Sequence, residues 1–273
     1  MQGNIEQAFM LACVGNAYLA GRDVSGFWPE SRTFQWTKFC HFRTPPPGGG
    51  DSDEYPLKAA DPLAWFASLK PWARGLRLHA VEPDMEPYRQ VGTTPRMLVG
   101  MVGGGPRWLV EAVGPTSSEL WQGFDKLGDR NDPGRKIWST TWILQGTAPS
   151  GAMTPTELGP AVAALREVLP KIEAYARSEQ MDNFGDCFAR SLAALDNEPE
   201  ADESAYRAEF VNLTGMSDDQ LRVRLAINHA WVFGGMGSWN DNGGGPLYDE
   251  LSEALFEALT GAICGLANST YRG

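Results

Sequence analysis

Between residues 76 and 144 the chain strings together short β-type segments with no helical stretch among them long enough to carry a parallel crossover. That single property excludes a doubly wound nucleotide-binding fold and points to a meandering antiparallel sheet. The expected strands cover residues 76–82, 96–102, 107–113 and 136–144. Gly103, Gly104, Gly105 and Pro106 separate the second from the third and predict a hairpin there. An earlier strand is expected over 33–43, where aromatic side chains fall on both faces, and the Pro- and Gly-rich residues 45–53 predict a loop. Asp61 followed by Pro62 predicts a capped short helix carrying Leu63, Trp65, Phe66 and Leu69.

The period changes at Thr154. Leu158, Val162, Leu165, Leu169, Ile172 and Ala176 form one apolar stripe of a long helix, with Pro160 and Pro170 predicting a late start or a kink. Further helices are expected at 5–20 (amphipathic), 182–195, 201–213 and from Pro246 onward, where Leu247, Leu251, Leu255, Ala258, Ala262 and Leu266 make the buried face. Residues 219–233 carry two signals. Ser217 with Gln220 resembles a capping box, but seven positions from Leu221 to Phe233, all apolar except His229, fit a period of two, and the alternation predicts a strand that joins the sheet. The expected architecture is α+β: an antiparallel sheet, mainly from the N-terminal half, packed against helices from the C-terminal half. Residues 1–273 are expected to form one integrated domain, strand-rich over 1–150 and helix-rich and acidic over 151–273.

Charge is distributed unevenly. Residues 1–150 hold 15 basic and 15 acidic side chains, whereas 151–273 hold 8 and 19, so the formal net charge of −11 resides in the second part. Ten carboxylates between Asp182 and Asp219 face two arginines of the same stretch, Arg190 and Arg207. Such a surface repels nucleic acid and attracts basic proteins, although acidic residues also serve simple solubility. No apolar run reaches the ~18–20 residues of a membrane helix. The stretch 9–20 has the wrong flank for a secretion signal, because Glu6 stands where a cation belongs. Four dispersed cysteines in a chain of this size suggest the reducing cytoplasm.

Catalytic signatures are sparse. The three histidines, His41, His79 and His229, form no HExxH pattern, and adjacent Cys40 and His41 point to opposite faces of a strand, so no metal site is expected. The stretch 234–245 has six glycines but neither a Walker lysine nor GxGxxG, and Asp241, Asp249 and Glu250 would repel phosphate. Neither a cofactor nor a catalytic residue is therefore assigned. Two readings of Trp239 stay open: an indole presented to a partner beside Asn240 and Asp241, or one folded back into the core.

Phe27, Trp28 and Pro29, then Phe34, Gln35 and Trp36, and later the run from Val232 through Gly237, Ser238, Trp239 and Asn240 to Asp241, resemble the tryptophan-containing signatures of a bacterial immunity-protein family. That family is encoded beside restriction-endonuclease-type toxins of polymorphic toxin and type VI secretion systems. The resemblance covers about the first fifty residues and the last third of the chain. It implies a cytosolic, non-catalytic protein that neutralises a cognate toxin, and an acidic surface would suit a nuclease with a basic groove. The residues expected to meet the toxin, inferred from charge and the glycine loop, are Trp239, Asn240, Asp241, Asp196, Glu198, Glu200, Asp202 and Glu203. The alternative is an enzyme acting on a small polar molecule, with His229 and nearby loop carboxylates as acid and base.

Overall fold

A computed structural model describes residues 3–48, 54–86, 92–196, 204–242 and 244–272, with backbone only at 204–206. In chain order the elements are α1 (Gly3–Leu19), β1 (Thr37–Arg43), β2 (Leu57–Ala59), α2 (Pro62–Leu69), β3 (Gly75–Val81), α3 (Pro95–Leu98), β4 (Arg107–Val113), β5 (Ser117–Leu127) and β6 (Trp138–Pro149). Five helices follow: α4 (Leu158–Ser178), α5 (Asp182–Leu195), α6 (Ser204–Thr214), α7 (Asp218–Ala230) and α8 (Pro246–Asn268). The α+β architecture is as expected, with the strands ordered β2-β1-β6-β5-β4-β3 in one sheet. The sheet is mixed, not purely antiparallel: β3 to β6 form a meander that ends beside β1, and β1 runs parallel to β6. The parallel pair needs no crossover helix because the intervening chain makes the rest of the sheet.

Helix α1 is not amphipathic. Every residue from Gln7 to Ala17 is buried, since the helix lies against β3, β4 and β5 while α2, α6 and α8 cover its other sides. Its small residues allow that approach: a Cβ on Gly15 would lie 2.2 Å from Leu76 Cδ1. The polar Asn16 has a definite task at the sheet edge. Leu76 N–H donates to its Oδ1 at 2.6 Å while its Nδ2 donates to Leu76 O at 2.9 Å. Asn268 at the end of α8 does the same for Leu78, at 2.8 and 3.2 Å. Two side-chain amides thus imitate a neighbouring strand and close the β3 edge to another chain.

Three local expectations are overturned. Residues 96–102 hold the turn α3 and a loop instead of a strand, and the glycines there serve close approach: a Cβ on Gly104 would sit 2.0 Å from Leu98 O, and one on Gly100 2.2 Å from Gly234 O. The hairpin partner of β4 is β5, a strand the sequence pattern hid because its buried positions, Ser118, Trp121 and Gly123, neither alternate nor are consistently apolar; the register shift at Leu120/Trp121 leaves Gln145 of β6 as the additional residue. Residues 218–230 form α7, not a strand. Its capping box is complete, with Gln220 N–H donating to Ser217 Oγ and Ser217 N–H donating to Gln220 Oε1. The alternation misleads because α7 is buried on two sides, including Arg224, which pairs with Glu6 and lies over the Phe9 and Phe210 rings. Leu247 is also exposed rather than part of the buried face of α8.

The expected short helix after Asp61, the long helix bearing the Leu158–Ala176 stripe and the helix at 182–195 are present, at Pro62–Leu69, Leu158–Ser178 and Asp182–Leu195. Asp61 Oδ1 accepts from Ala64 N–H, and α4 starts late, at Leu158, with Pro170 inside it. Of the loop at 45–53, residues 49–53 lie outside the described residues. Among the described residues no helix is long and apolar enough to cross a membrane.

Candidate functional site

At one end of the sheet the first turn of α1, the segment 32–37 leading into β1, the loop 99–108, the middle of β5, Trp138 and Trp231 enclose a cleft of about 730 Å³. Its walls carry the indoles of Trp36, Trp108, Trp138 and Trp231 and the ring of Phe124. Large apolar side chains are left open to solvent around it: Trp36 is 46% exposed, Phe124 44%, Met101 66% and Val102 67%. Concave, mostly apolar surface with few polar groups is the usual form of a binding site.

Those polar groups are set by local geometry. Gly123 lets α1 come down onto β5, since a Cβ there would meet Asn4 Nδ2 at 2.8 Å and Trp142 at 2.9 Å. That position thus links two elements far apart in sequence: the Asn4 side chain bonds the carboxyl of Asp125, which also accepts from Thr140 Oγ1 at 2.7 Å. Gln7, also buried, donates from Nε2 to Thr37 Oγ1 at 3.1 Å, while its Oε1 has no hydrogen-bond partner. Of the charged side chains lining the cleft, Glu6 pairs with Arg224, Arg32 pairs with Glu209, and Arg107 is exposed. Asp125 has no ion-pair partner among the described residues, and burial raises its carboxyl above the usual range.

The raised value has a consequence for stability. A carboxyl whose folded value exceeds its unfolded one weakens the fold fully above the folded value; that weakening fades as pH falls through the folded value and is gone below the unfolded one, near ~3.9. Asp125→Asn keeps an acceptor for Thr140 and removes the charge. Its expected effect at pH 7 is stabilisation of about 0.5–2 kcal/mol, the range that a single stabilising substitution commonly yields. Thermal melts should show the gain at pH 7 and its disappearance near pH ~3, below the unfolded carboxyl value. A lower melting temperature for the variant at pH 7 would contradict the assignment.

The residues expected from sequence lie elsewhere. Trp239 takes the second of its two readings: its indole is wholly buried, stacked on Tyr248 at 5.2 Å and 21°, and its Nε1 donates to Ser252 Oγ at 2.7 Å. It cannot itself touch a partner. Asn240 Oδ1 accepts from Arg96 Nη1 at 2.8 Å and its Nδ2 donates to Arg96 O at 3.1 Å, so this amide ties the loop to α3. Asp241 accepts from Gly237 N–H. Asp196, at the end of α5, pairs with Arg166. Glu198, Glu200, Asp202 and Glu203 lie outside the described residues.

The acidic stretch is also more balanced than its sequence suggests. Each of its six described carboxylates has an arginine partner: Asp182 and Asp186 share Arg177, Asp196 pairs with Arg166, Glu209 with Arg32, Asp218 with Arg207 and Asp219 with Arg222. Four of those five arginines come from outside the stretch or from beyond its two internal arginines. Exposed pairs of this kind contribute little stability, but they lower the local field.

His229, in the last turn of α7, is half-buried and lines neither this cleft nor the groove between α4 and α8. A different pair was missed by sequence reasoning: His79 Nε2 and Glu111 Oε2 lie 2.7 Å apart, both buried on adjacent strands. Burial alone would raise Glu111, but the hydrogen bond with His79 and the nearby charges of His79 and Arg77 outweigh it and hold the carboxyl below its usual range. Only the β3–β4 register brings these two together. Burial raises the thiols of Cys13 and Cys40 far above ordinary values and pushes Cys264 up to about 12, so these three are not poised as nucleophiles. No group of three or more His, Cys, Asp or Glu among the described residues could hold a metal ion. Comparison with family models, with curated proteins and with solved structures finds no significant match to this chain.

Proposed function

We propose that this chain is a non-catalytic binding protein, an immunity-type inhibitor of a basic toxin of the nuclease class, and that it docks through the aromatic end of its sheet. The observation that carries the reading is the gathering of Trp36, Phe124, Met101 and Val102, all substantially exposed, around one cleft. Exposed apolar side chains scattered singly need no explanation, whereas a cluster beside a concavity marks an interaction site. Trp in particular supplies much of the binding energy of protein interfaces. In this reading the acidic second half of the chain steers a basic partner toward the molecule, and the reducing cytoplasm is where the encounter takes place.

The loop that carries Trp239 acts as a support. Gly234 lies against Gly100, within the segment that bears Met101 and Val102, so a firmly plugged 234–242 loop holds the rim in place. The test is co-expression with the product of the neighbouring gene, reading growth rescue and co-purification. Wild-type protein is expected to rescue growth, and Val102→Asp to weaken the complex at least about tenfold, which is ~1.4 kcal/mol, with unchanged melting temperature. Normal affinity in both Val102→Asp and Trp36→Ala would overturn the docking face.

A further inference from the structure

We propose that the aromatic cleft receives the guanidinium of an arginine side chain from the docked partner, with Asp125 as its counter-ion and the surrounding indoles as its walls. The inference rests on the docking face proposed above and specifies its chemistry. Two independent features converge. The cleft combines four indoles and a phenyl ring, whose π-faces attract cations most strongly where water is excluded. It also holds one partly buried carboxylate that pairs with no cation among the described residues, although Glu6 in the same cleft is matched by Arg224.

A buried anion without a counter-charge is costly, and folds normally pair it. Thr140 and Asn4 satisfy Asp125 as a hydrogen-bond acceptor but supply no positive charge. An incoming guanidinium would complete the pairing, and its planar donors suit both a carboxylate and an aromatic face better than an ammonium does. The cleft is larger than one side chain, which leaves space for the neighbouring backbone of the partner. An apolar side chain would fill the same space but leave the carboxylate desolvated and unpaired, so the site also selects against it.

The probe is N-acetyl-arginine-N-methylamide, titrated into the ¹⁵N-labelled full chain while the indole N–H signals are followed, with the leucine analogue as the neutral comparison. The expected result is saturable shifts of the Trp36 and Trp138 indoles with the arginine compound, at least about tenfold weaker binding in Asp125→Asn, and no change in Glu250→Gln on the far helix α8. Equal binding in Asp125→Asn, or equal shifts with the leucine analogue, would overturn the proposal. The neighbouring-gene product separates this inference from the docking face. If Val102→Asp breaks that complex while Asp125→Asn leaves its affinity untouched, the face stands and the arginine proposal fails. If the probe binds through Asp125 but Val102→Asp and Trp36→Ala leave the complex intact, the cleft serves a free cation and the proposal fails as a statement about a partner side chain.

Discussion

Trp239→Ala is expected to cost about 3–5 kcal/mol of folding stability, a large share of the ~5–15 kcal/mol that holds a typical domain together. The indole is wholly buried between α5 and α8. It stacks on Tyr248 and meets Phe184 and Phe188 edge-on, at 5.2 and 5.4 Å between ring centres. Truncation would open a cavity among aromatic side chains that cannot collapse without moving a helix. It would also remove the donor to Ser252 Oγ, a hydroxyl that in turn donates to Tyr248 O at 2.6 Å. Trp239→Phe keeps most of the ring volume and loses only that donor, so its cost should be about 1–2 kcal/mol. Urea unfolding with an unchanged m-value would measure both. A loss below about 1 kcal/mol for the alanine variant would mean that the ring is not packed as described.

The same residue shows how far a sequence can be read. A glycine-rich loop bearing Trp, Asn and Asp is compatible with display or with anchoring, and nothing local decides between them. The decision is made by Phe184, Phe188 and Ser252, which lie 55, 51 and 13 positions or so away along the chain. Helices with chemical punctuation were legible: Asp61–Pro62 before α2 and Pro246 before α8 announce themselves because capping and proline geometry are local. Ser217–Gln220 was equally local, and it outweighs the alternation that follows it, since Arg224 is buried by pairing with Glu6 rather than by being apolar. β5 was illegible because its buried positions, Ser118, Trp121 and Gly123, are mostly small and do not alternate. The cleft was illegible for a different reason. Its members come from six separated segments, and Asp125 is distinctive only because Gly123 brings Asn4 over it and no cation among the described residues pairs with it.

Removing both acidic partners of Arg96 is expected to damage the protein more than removing Arg96 itself. Arg96 is only 1% exposed, and its guanidinium donates to Glu253 at 2.9 Å, to Asn240 at 2.8 Å and to Asp249 at 3.4 Å. The two carboxylates, by contrast, are 34% and 56% exposed. Deleting the cation therefore leaves anions that water can reach, whereas deleting the anions strands a buried charge. Loss of one side of a buried pair typically costs about 3–5 kcal/mol, while replacing the whole set with apolar groups can be close to neutral. The Asp249→Ala/Glu253→Ala double variant should accordingly lose about 3–5 kcal/mol, and Arg96→Met about 1–2 kcal/mol, chiefly from the lost bond to Asn240 Oδ1. Adding Arg96→Met to the double variant should then restore part of the loss, a coupling of opposite sign to simple additivity. Denaturant midpoints of the four proteins would give the cycle directly, and an additive result would mean that Arg96 is solvated in the native state. Because Arg96 joins α3 to both α8 and the Trp239 loop, the unpaired double variant should also loosen the segment that carries Met101 and Val102 and weaken partner binding without touching the docking face.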